Sequence, residues 1–200
     1  MLINKKPLHP NFGVIIEDID LNQVSHNFLY KEIRELFENY SVILFKNQKI
    51  SDDTHINFAK LFGQLENREA MATNSDVEFE LSLVTNQKED KSVYDEYDIK
   101  TLDLKANMLW HTDSTFLPIP ALANIITAKI IPSSGGQTEL ASTRVALKKL
   151  PKDLYYNIKD KKIWHNLSHS RKQINNQLAK ESYINSCLLY TSPSPRDEQS

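Results

Sequence analysis

The chain has 200 residues, of which 40% are hydrophobic and 25% charged, with a formal net charge of −2. That length suits one domain with a buried core, and the near-neutral balance excludes a general attraction to nucleic acid or an anionic membrane. No apolar run reaches the roughly 20 residues that span a bilayer. Nothing apolar follows the N-terminal lysines to form a signal peptide. A single cysteine, Cys187, excludes an internal disulfide, so the reading is a soluble, cytoplasmic protein.

Residues 12–21 read as a β-rich opening closed by acidic turn residues. Ser25 is the expected N-cap of a helix over 26–40, whose Phe28, Leu29, Ile33, Leu36 and Phe37 make an apolar stripe at helical spacing. Residues 41–45 form a short buried strand. Ser51 then starts a second helix ending near Phe62, with Gly63 as the residue that stops it. His55, on its first turn, reads as solvated or locally bonded.

Residues 81–85 are a further strand, and the charge-dense 89–100 segment is a solvated loop or a lid. Residues 106–116 favour an extended strand, followed by a rigid Pro118-Ile119-Pro120 connection. Residues 121–131 read as a long, largely buried strand. Gly135-Gly136 turns the chain into a returning strand over 137–140. Ser142 caps a helix to about Leu150, and Pro151 opens another to about Ile158. Residues 163–171 carry His165 and His169 beside Arg171. The last fourteen residues, 187–200, lose the Lys, Asn and Ile of the preceding chain and bring two Ser-Pro pairs. They are expected to be a non-native tail, such as a translated frame slip, with a natural disordered tail as the alternative.

The chemistry-bearing stretch is Leu109-Trp110-His111-Thr112-Asp113-Ser114-Thr115-Phe116. In a strand, His111 and Asp113 share a face with Cα atoms about 6.5 Å apart. Their side chains can converge on the gap of about 3 Å that two ligands of one metal require. An imidazole and a carboxylate so placed are two thirds of a 2-His-1-carboxylate iron site. Taken alone, the pair is equally a structural hydrogen bond.

Its surroundings carry more. Residues 8–13 leading to Asp18-Ile19-Asp20-Leu21, then 41–45 with Asn47-Gln48, 57–63, 109–116, Gly135-Gly136-Gln137-Thr138-Glu139 and His169-Ser170-Arg171 occur in one order. They resemble the taurine dioxygenase and 2,4-dichlorophenoxyacetate dioxygenase family of Fe(II)- and 2-oxoglutarate-dependent enzymes, closer to the second subgroup. The resemblance implies a mainly β fold with flanking helices, a double-stranded β-helix or jelly-roll, here incomplete at the C-terminus. Residues 1–186 would be its N-terminal portion. It implies His111 and Asp113 as iron ligands and catalytic centre, Thr138 as a hydroxyl bonding 2-oxoglutarate, and Asn107 on the substrate side. Trp110 would support the metal strand or fill core. The cofactor set is Fe(II) with 2-oxoglutarate and O2 as co-substrates, acting on a small anionic organic molecule. No nucleic acid or membrane partner is expected, and oligomeric state, a homo-oligomer included, is open.

The family's distal histidine and its 2-oxoglutarate-binding arginine have no match in this sequence. His165, His169 and Arg171 fall in other segments and are assigned neither role, so the chain reads as an inactive fragment of a dioxygenase. Two alternatives stay open: a non-catalytic jelly-roll binding or structural module with an incidental His-x-Asp pair, and a metal hydrolase on a cupin-like barrel.

Overall fold

The structure is a computed structural model that describes residues 3–66, 81–115, 120–181 and 187–191. The chain divides into two compact units, one built from residues up to 64 together with 123–161, the other from 65–122 together with 162–191.

In the first unit, β1 (Lys5–Pro7) pairs antiparallel with β2 (Val14–Ile16), and β2 pairs in parallel with β3 (Ile43–Phe45). A parallel pair cannot be closed by a hairpin and needs a crossover, supplied by α1 (Tyr30–Tyr40). Gly13 sits at φ +82° between β1 and β2, and a Cβ there would lie 3.1 Å from Leu8 Cδ2. Both the left-handed backbone and the close approach select glycine. Ile16, Ile19, Leu21, Leu29, Ile33, Leu36 and Phe58 form the buried cluster, and Ile125 packs against it.

The expected apolar stripe supplies three of these residues, but α1 starts at Tyr30 rather than at 26. Ser25 does not cap it. Its N–H and carbonyl both bond Phe28, at 3.0 Å each, in a tight turn, and Leu29 then reverses the chain at φ 65°. α2 (Asp52–Leu61) follows the sequence reading: the Ser51 side chain accepts from the Thr54 N–H at 3.1 Å, and Gly63 leads the chain away at φ +135°. α4 (Thr143–Lys149) has Ser142 as its N-cap, and Pro151 precedes α5 (Lys152–Ile158).

The expected strands over 81–85, 121–131 and 137–140 form no ladder among the described residues. Helices outweigh strands there, so the mainly β composition expected is not what these residues display. Strand character survives in one place. Ala123, Ile125 and Thr127 are half-buried while Asn124, Ile126 and Ala128 are exposed, the period-two signature of extended chain with one covered face. Side chains of α2 hold this segment instead of a neighbouring strand. His55 Nε2 lies 3.0 Å from the Ile125 carbonyl oxygen, and Lys129 Nζ donates to Asp52 at 2.5 Å. His55 is thus neither solvated nor locally bonded, contrary to the sequence reading.

The second unit contains α3 (Ile99–Ala106), β4 (Lys162–Asn166), α6 (Leu167–Lys172), α7 (Asn176–Glu181) and β5 (Cys187–Thr191). β4 and β5 pair antiparallel, Asn166 opposite Cys187 and Lys162 opposite Thr191. The change of sequence character expected at 187 falls on β5. Residues 192–200, Phe116 and Pro118-Ile119 lie outside the described residues. No helix among the described residues is long and apolar enough to cross a membrane.

Candidate metal centre

The segment expected to be a strand over 106–116 is a helix end followed by turns. Asp98 caps α3, accepting from the Lys100 N–H. Ile99, Leu102 and Ala106 place apolar side chains at helical spacing, and Lys105 lies in the last turn, where its charge complements the helix carbonyls. The N–H groups of Asn107, Met108 and Leu109 donate back to the carbonyls of Asp103, Lys105 and Ala106 at 3.2, 3.1 and 3.3 Å. Committed to the helix, those donors cannot enter a β-ladder. Ser114, at φ 60° and 9% exposed, ends any extended run. Its hydroxyl donates to the Glu66 carboxylate, anchoring the turn from inside.

Between helix and turn, the two expected metal ligands meet. His111 Nε2 lies 3.0 Å from Asp113 Oδ1, and both side chains are about half exposed, at 44% and 51%. His111 Nδ1 lies 2.5 Å from the Leu109 carbonyl oxygen, so that nitrogen carries the proton and donates. Nε2 then faces a carboxylate oxygen, and the two groups share either a proton, as an ion pair, or a metal ion. The geometry fits a metal ion: ligands each about 2.1 Å from one ion and at right angles are about 3 Å apart. A histidine ligand held through its other nitrogen by a backbone carbonyl is the usual support for such a site. No group of three or more His, Cys, Asp or Glu that could hold a metal occurs among the described residues.

The other expected site residues are distributed as follows. Asn107 is the C-cap of α3, and its Oδ1 accepts from Arg171 Nη2 at 3.1 Å. Thr138 belongs to the first unit, exposed, two residues beyond the Gly135-Gly136 turn whose φ values are +73° and +68°. Trp110 is 69% exposed, so it neither packs behind the ligands nor fills core. His165 lies on β4 and His169 on α6.

The pairing of Arg171 with Asp103 and Asn107 escaped the sequence reading. Arg171 Nε bonds Asp103 Oδ1 at 3.0 Å, with the arginine side chain only 16% exposed. A signal was present: Asp103 and Asn107 stand four apart, so one face of a helix offers two acceptors to a single forked donor.

A family model described as "Taurine catabolism dioxygenase TauD, TfdA family" matches residues 4–199. The chain is 33% identical over 174 residues to an alpha-ketoglutarate-dependent 2,4-dichlorophenoxyacetate dioxygenase of Cupriavidus pinatubonensis, covering 86% of this chain and 61% of that protein. It is 29% identical over 173 residues to an (S)-phenoxypropionate/alpha-ketoglutarate-dioxygenase of Sphingobium herbicidovorans, covering 86% of this chain and 56% of that one. The chain therefore spans about three fifths of the length of these curated relatives. Among solved structures, AAD-2 in complex with Mn(II) and N-oxalylglycine superposes with a TM-score of 0.79 at 25% identity, over 96% of this chain and 68% of that one.

Proposed function

We propose that this chain, which belongs to the TauD, TfdA dioxygenase family, carries the metal-binding segment of an Fe(II)- and 2-oxoglutarate-dependent dioxygenase built on a double-stranded β-helix. The observation that carries the reading is the 3.0 Å approach of His111 Nε2 to Asp113 Oδ1, with Nδ1 held by the Leu109 carbonyl. His111 and Asp113 are two protein ligands of iron, which when bound supplies the O2-driven oxidation of 2-oxoglutarate to succinate and CO2 and the hydroxylation of substrate. The Leu109 carbonyl keeps the imidazole in the tautomer whose Nε2 can ligate. The Ser114–Glu66 bond fixes the turn that aims Asp113.

Thr138 donates its hydroxyl to a carboxylate of 2-oxoglutarate, and Asn107 faces the substrate. The named relatives act on aryloxyalkanoates, and another similar protein, of Pseudomonas putida, is named for sulfate esters. A small organic anion is the shared chemistry, and an aryloxyacetate is the first choice here.

Titration of the full chain with Mn(II), followed by paramagnetic broadening of NMR signals, tests the ligand pair. Broadening centred on His111 and Asp113, weakened tenfold or more by Asp113→Ala, is the expected result. Broadening elsewhere, or none, overturns the assignment.

A further inference from the structure

Helix α3 ends on a clamp. Arg171, in the last turn of α6, donates from Nε to Asp103 Oδ1 at 3.0 Å and from Nη2 to Asn107 Oδ1 at 3.1 Å. The two acceptors stand four apart, so one guanidinium spans the final turn of α3 on a single face. Its charge lies at the helix C-terminus, where a cation is favoured. From that turn the hydrogen bonds run on toward the metal pair. The Leu109 N–H donates to the Ala106 carbonyl at 3.3 Å, and the Leu109 carbonyl oxygen lies 2.5 Å from His111 Nδ1. The other nitrogen of the same imidazole faces Asp113 at 3.0 Å. Arg171, α3 and the His111–Asp113 pair all belong to one compact unit.

We propose that Arg171 is a positioning residue for His111: by clamping the last turn of α3 it fixes the Leu109 carbonyl that turns the imidazole toward Asp113. The consequence for metal affinity rests on the reading of these two residues as ligands, whereas the clamp itself does not. The His111 side chain is 44% exposed, so packing alone does not fix its ring, and the Leu109 carbonyl is the contact that sets it. That carbonyl is only as well placed as the turn that carries it. Asp103 is half exposed and Asn107 exposed, so water takes over both acceptors when the guanidinium is lost. The clamp therefore contributes order at His111 more than stability of the fold. Removing the outer supports of metal ligands weakens metal binding by about 10–100-fold in general.

The full chain is measured first without metal, by exchange of the Met108 and Leu109 amide hydrogens and by the nitrogen-15 signals of the His111 ring. Arg171→Gln, too short to span both acceptors, is expected to speed that exchange about tenfold and to shift the His111 signals, with the urea midpoint unchanged. Arg171→Lys, a single charged donor, should fall between the two. Lys172→Gln removes the same charge one residue away and should alter neither readout. Mn(II) titration follows. Loss of a cation strengthens the attraction for a divalent ion, so charge alone predicts tighter binding by Arg171→Gln. The clamp predicts the opposite, a weakening of fivefold or more. Wild-type exchange and wild-type His111 signals in Arg171→Gln overturn the proposal. So does an equal effect of Lys172→Gln, a change at His111 matched by a lower urea midpoint, or Mn(II) binding at the pair that is unchanged or tighter in Arg171→Gln. A wild type that binds no Mn(II) at His111 and Asp113 defeats the metal reading instead, and the metal-free signals still decide the clamp.

Discussion

At the scale of single residues, His55 shows how a polar side chain takes over a backbone task. An extended segment without a neighbouring strand leaves carbonyls to satisfy, and His55 reaches across 70 residues to the Ile125 oxygen, with Thr127 Oγ1 3.4 Å from its other nitrogen. Removing that partner leaves a part-buried carbonyl unsatisfied. His55→Ala is expected to cost about 1–2 kcal/mol, read as a lower denaturant midpoint with unchanged slope. His111 differs in kind, since both of its nitrogens are engaged within two residues and little of the fold leans on it. The His-x-Asp spacing was legible in sequence because a two-residue spacing constrains two side chains whatever backbone carries them. The Arg171 fork was not, because it joins residues 64 and 68 apart, and no local pattern records which distant arginine will meet an acceptor pair.

Among elements, the contrast is between α2 and the missing ladders. Helix α2 is bounded by residues that act locally: Ser51 caps one end and Gly63 stops the other. Both were readable because their partners lie within the next turn. Ser51→Ala is expected to destabilise by about 1 kcal/mol, measurable as reduced thermal stability with the helix content retained. Ser25 is the counterexample, an equally good cap residue overruled by its reciprocal bonds with Phe28. Strand propensity over 121–131 is likewise written in its own residues, and the alternating burial of 123–128 honours it. A ladder is written in two segments at once, and the pairing strand is a non-local fact that composition cannot supply. Helix α3 was overlooked for a different reason: the charged run before it masked the Asp98 cap and the Ile99, Leu102, Ala106 spacing.

For the molecule as a whole, acid sensitivity is expected to concentrate where carboxylates hold the first unit together. Glu17 accepts from Lys6 at 2.5 Å and from Lys46 at 3.3 Å, and those hydrogen bonds, Lys6 first, keep its carboxyl below the usual glutamate range. Asp52 is lowered in the same way by Lys129. A depressed carboxyl binds its proton more weakly folded than unfolded. Its stabilisation is therefore present above the unfolded value, near 4.5 for Glu17, and is lost as pH falls through the folded one. Urea midpoints are expected to fall between pH 5 and pH 3, and Glu17→Gln should flatten that dependence. Salt should weaken it too, since these pairs are exposed.

The buried cluster of the first unit, from Ile16 to Phe58, is drawn wholly from a short opening stretch of the chain. Its contacts, including the parallel pairing of β2 with β3 across α1, close loops of some tens of residues, and loops that short cost little entropy to form. A ribosome would therefore have added every residue of that cluster before the histidine at 111 was ever translated. The segment proposed to ligate metal thus follows in synthesis, after every residue of that cluster has been made.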